Sequence, residues 1–99
     1  KNILEQSKLD LENTVNQSLN DARGALKAYE AAKKTNLASK TSYNYAKERF
    51  ENGAMNTINF LQAQQRFESS QSELIRAKYD YIFKIKVLEF YFGIPNLYL

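Results

Sequence analysis

Carboxylates are the side chains in this 99-residue sequence whose number and spacing come nearest to acid–base chemistry. Glu48 and Glu51 stand three residues apart, and Asp10 and Glu12 two. Paired carboxylates do chemistry when a neighbour or burial drives their proton affinities apart; otherwise they form a solvated helix face. The chain has no histidine and no cysteine, the two commonest sources of metal ligation and nucleophile activation. Its three glycines, Gly24, Gly53 and Gly93, lie too far apart for a phosphate-cradling loop. The residues therefore predict a protein that is not an enzyme, with no catalytic residue, no cofactor and no metal site. Without cysteine there is no disulfide framework, and the chain is indifferent to redox compartment.

What remains to be explained is which elements such a sequence builds. With 43% hydrophobic and 25% charged residues, it suits one folded domain. Three glycines and one proline are too little turn chemistry for a many-stranded sheet, so the fold class is expected to be all-α. The net charge of +3 is mild and spread along both halves, which argues against nucleic acid as a partner. No apolar run approaches the roughly 20 residues of a membrane helix. The chain opens on Lys1 and is expected to be a segment of a longer protein, with any export signal or membrane anchor outside it.

Good helix formers dominate residues 1–51 and again 57–92. Gly24 is the weak point of the first stretch, costing about 1 kcal/mol relative to alanine. Ala22, Tyr29, Asn36, Tyr43 and Phe50 recur every seven residues, and Ala25, Ala32, Ser39 and Ala46 follow three positions after the first four. In the second stretch Phe60, Phe67, Leu74, Tyr81 and Leu88 form the large row, with Ala63, Ser70 and Ala77 beside it. A sustained heptad keeps one seam facing a partner helix, and small residues beside large ones allow close approach. Between the stretches, Asn52 and Gly53 can end a helix through a left-handed glycine. Asn56 can cap the next one, with Met55 and Phe60 placed as a hydrophobic staple. The expectation is a long antiparallel two-helix coiled-coil hairpin: helix 2–51, tip loop 52–56, and helix 57–92 ended by Gly93, Ile94 and Pro95. Residues 1–15 then have no partner in the chain, yet carry Ile3, Leu4, Leu9, Leu11 and Val15. Another surface must cover them.

The order "ERFENG", "FLQAQ" and "AKYDYIFKIKVLEFYFG" resembles the closing segment of TolC-like outer membrane efflux proteins. The resemblance rests on Tyr43, Ala46, Arg49, Phe50, Gly53, Leu61, Ala63, Gln64, Ala77, Tyr79, Asp80, Leu88 and Gly93. It covers residues from about 20 to 95. It implies a trimeric channel of the cell outer membrane whose periplasmic helices form an α-helical barrel. The tips of that barrel would meet a periplasmic adaptor protein joined to an inner membrane pump. By that resemblance the chain is a wall segment in the periplasm and touches the membrane only through parts absent from it. Asn52, Gly53, Ala54, Met55, Asn56 and Thr57 would form the docking tip. Family members often carry aspartates six and nine positions after the tip glycine, where acidic rings narrow the pore. Asn59 and Gln62 stand there in this chain, so a constriction at these positions would be uncharged. The alternative is a freestanding coiled-coil scaffold or adaptor hairpin with no conduit role.

Overall fold

A computed structural model describes the backbone of residues 2–97 and the side-chain surroundings of residues 2–93. It contains two helices, α1 (Asn2–Glu51) and α2 (Thr57–Leu97), joined by a loop at 52–56, and no strand among the described residues. The chain is an all-α helical hairpin. Gly24 interrupts nothing: it lies inside α1, where fifty residues of favourable context absorb its cost.

Contacts divide the chain into two compact units, Ala28–Lys78 and a second made of Lys1–Lys27 with Tyr79–Leu99. In the first unit, the heptad rows face each other. Tyr29, Asn36, Tyr43 and Phe50 from α1, and Phe60, Phe67 and Leu74 from α2, are all half-buried. Ala46 and Ser70 from the small rows are buried at 3% and 7% exposure. Small residues go deepest because two helices alone enclose only the space nearest their common axis. A large side chain there reaches past its partner into the open. The ring of Tyr43 stacks on Phe60 and Phe67 at centroid distances of 5.9 and 5.3 Å, and Phe50 stacks on Phe60 at 4.6 Å. Asn36 is the polar member of this seam: its Nδ2 donates to Ser70 Oγ at 3.1 Å, and Ser70 Oγ donates to the Phe67 carbonyl at 2.8 Å.

In the other unit, Ser18, Ala22 and Ala25 are buried, and Tyr81, Lys84, Ile85, Leu88 and Tyr91 are half-buried on α2. Two sequence expectations need correction here. First, α2 does not stop at 92. It runs through Gly93 and Pro95 to Leu97, and the positive-φ glycine among the described residues is Gly53, not Gly93. A proline's fixed φ is itself helical; at this end of a helix its cost is the bond its missing N–H cannot make and the crowding of its ring against the carbonyl four residues back. Secondly, Leu11 and Val15 have a partner on α2, which reaches further back along α1 than a count from the tip suggests. Both are half-buried and line one groove with Asn16, Tyr91 and Phe92. Ile3, Leu4 and Leu9 stay exposed at 83%, 67% and 53%, as expected for residues without a partner in the chain.

Candidate functional site: the hairpin tip

The tip is built by local chemistry. At the end of α1 the last carbonyls have no helical donor. The chain supplies donors by turning through Gly53, whose φ of +75° is a left-handed value that costs other residues about 1–2 kcal/mol. Gly53 N then donates to the Phe50 carbonyl at 3.1 Å, and Ala54 N to the Arg49 carbonyl at 2.7 Å. These are the two bonds of a Schellman cap. Three residues on, Asn56 caps α2: its Oδ1 accepts from Asn59 N at 2.8 Å, and its carbonyl takes the first helical bond, from Phe60 N at 3.1 Å. Met55 is half-buried while its loop neighbours are exposed, which suits a staple residue placed before the cap.

The candidate docking residues Asn52, Gly53, Ala54, Asn56 and Thr57 are thus exposed, and Met55 is partly covered. Asn59 and Gln62, the candidate constriction residues, are both exposed and three apart on α2, hence on one helix face. Gln62 lines an open groove of about 710 Å³ with Thr35, Ser39, Arg66, Ser70 and Glu73. The backbone of Asn59 serves the cap, and its side chain is left to face outward.

One tip residue stood in the sequence without a role. Arg49 Nη2 donates to the Ala54 carbonyl at 3.3 Å, and its guanidinium lies over the Tyr45 ring, 5.6 Å from the centroid. The i, i+4 spacing of Tyr45 and Arg49 was the available signal. The bond to Ala54 depends on the loop's path and had none. The carboxylates Asp10, Glu12, Glu48 and Glu51 are exposed, and no cluster of metal-ligating side chains occurs among the described residues. No helix among them is long and apolar enough to cross a membrane.

Among the described residues the chain is thus a two-helix coiled-coil hairpin whose exposed turn is capped on both sides. The chain is a member of the outer membrane efflux protein family, whose model matches residues 2–93. It is accordingly a component of an outer membrane efflux channel. Searches of curated proteins and of solved structures gave no match.

Proposed function

We propose that this chain is a periplasmic wall segment and docking tip of a trimeric outer membrane efflux or export channel. Its tip, residues 52–57, meets a periplasmic adaptor that couples the channel to an inner membrane pump. The observation that carries this reading is the family match over residues 2–93, which takes in α1, the tip loop and most of α2.

The surface supports it. Leu37, Tyr45, Ile58, Leu61 and Ile75 are exposed in the unit that holds the tip, and Tyr79, Ile82, Phe83, Phe90 and Phe92 in the other. So many uncovered apolar side chains suit a hairpin that packs beside others. The half-buried aromatic seam suits the same setting, because neighbouring helices would close its open side.

Export by the assembled channel tests the reading. Gly53→Val, which distorts the tip backbone, and Met55→Asp, which changes its surface, are expected to lower export while leaving the trimer assembled. Normal export and normal adaptor crosslinking in both variants would refute tip docking and favour a scaffold role.

A further inference from the structure

Ala54 is the first residue past the left-handed turn, and both of its backbone polar groups go to a single partner. Its N–H donates to the Arg49 carbonyl at 2.7 Å. Its carbonyl accepts from Arg49 Nη2 at 3.3 Å. Arg49 therefore closes a ring around the turn, with its backbone on one side and its side chain on the other. Behind the guanidinium lies Tyr45, one helical turn earlier and 60% exposed. A tyrosine so open contributes little to the core, whereas its ring face suits a cation held 5.6 Å away. Among the described residues, this is the side-chain hydrogen bond that α1 makes to the loop. At the other end of the loop, Asn56 holds Asn59 N. The loop is fixed on the α2 side by a cap and on the α1 side by the Schellman bonds together with the Arg49 side chain.

We infer that Arg49, steadied by Tyr45, is the positioning residue that sets the conformation in which the tip meets its adaptor; this rests on the docking reading above. A loop already held in its binding conformation loses less freedom on docking and binds more tightly for the same contacts. The chemistry specifies arginine and not merely positive charge. A planar guanidinium can lie flat on a ring while an edge N–H reaches a carbonyl, and a lysine ammonium cannot do both in the same way. Either cation complements the negative end of α1's dipole. Arg49→Lys therefore keeps the charge and the helix-end contribution while removing the positioning.

The test uses the assembled channel with Arg49→Lys, Arg49→Ala and Tyr45→Leu, each read two ways. Hydrogen exchange of the peptide covering residues 52–56 reports the loop directly. Loss of one net hydrogen bond predicts exchange about fivefold faster in both Arg49 variants, and a smaller rise in Tyr45→Leu. Photo-crosslinking from Asn52 to the adaptor reports docking, and its yield is expected to fall in Arg49→Lys as far as in Arg49→Ala, with trimer stability retained. Parent-like exchange in Arg49→Lys would overturn the positioning role, and parent-like crosslinking would overturn its link to docking by showing that charge alone suffices. A parent that gives no adaptor crosslink would overturn the docking reading itself, and with it the inference, even where loop exchange responds to Arg49.

Discussion

Gly53 and Asn56 carry the turn by different means, and their substitutions should differ accordingly. A Cβ added at Gly53 meets nothing within 4 Å, so crowding is not the difficulty there. The cost lies in the backbone at φ +75°, and Gly53→Ala is expected to lose about 1 kcal/mol, with a β-branched valine losing more. Asn56→Ala removes the acceptor for Asn59 N and is expected to lose about 1 kcal/mol. Gly24 runs the other way: it is exposed inside α1, a Cβ there meets nothing within 4 Å, and Gly24→Ala should gain roughly 0.5–1 kcal/mol. Urea titration of each variant reads these changes as shifts in midpoint at constant slope. Both caps were legible in the sequence, because an asparagine cap and a left-handed glycine act on amides within five residues of themselves. The Arg49 bond to Ala54 was not, since it exists only once the loop has turned back over the last turn of α1.

Between the helices, the seam was legible and the end of α2 was not. Every residue of the predicted large and small rows is buried or half-buried, because a heptad records which face must find a partner. At Gly93 and Pro95 the local signal permits a stop without imposing one: Gly93 keeps a helical backbone and α2 runs on to Leu97. Leu88 and Tyr91 continue α2's covered face, and Tyr91 reaches the groove of Leu11 and Val15. Within the seam, Asn36 bonded to Ser70 gives a polar layer between aromatic ones, a device that fixes register at a cost in stability. Asn36→Leu is accordingly expected to raise the melting temperature while loosening the pairing of α1 with α2. Disulfide trapping between cysteines placed at Ser39 and Phe67, and at positions offset by one heptad, would show it. The parent should trap in one register and the variant in more than one. Phe60→Ala, which removes the ring stacked on both Tyr43 and Phe50, should cost about 2–3 kcal/mol, toward the low end for a phenylalanine because the side chain is only half-buried.

For the whole molecule, the question is what covers the apolar residues that this chain alone leaves open. Ile3 and Leu4 are the most exposed at the start of α1. Replacing both with lysine should shift any self-association of the chain toward monomer in sedimentation, and an unchanged distribution would place the contact elsewhere. In a trimeric channel, three copies of Asn59 and Gln62 at the mouth would present amides and no charge. Asn59→Asp with Gln62→Asp would concentrate cations there. Block of single-channel conductance by a trivalent cation from the periplasmic side is then expected to be stronger in the double variant than in the parent. Equal block would remove these positions from the mouth. The family was legible in the order of short motifs around Gly53 and before Gly93. A partner was not, because the surface a hairpin sequence offers is one it shares with any coiled coil. The most direct test of the account is photo-crosslinking in cells, with a photoreactive amino acid placed in turn at Asn52, Met55, Tyr79 and Phe83. Adaptor adducts from Asn52 and Met55, and channel-to-channel adducts from Tyr79 and Phe83, are the predicted result; adaptor adducts from Tyr79 and Phe83 with none from the tip would contradict it.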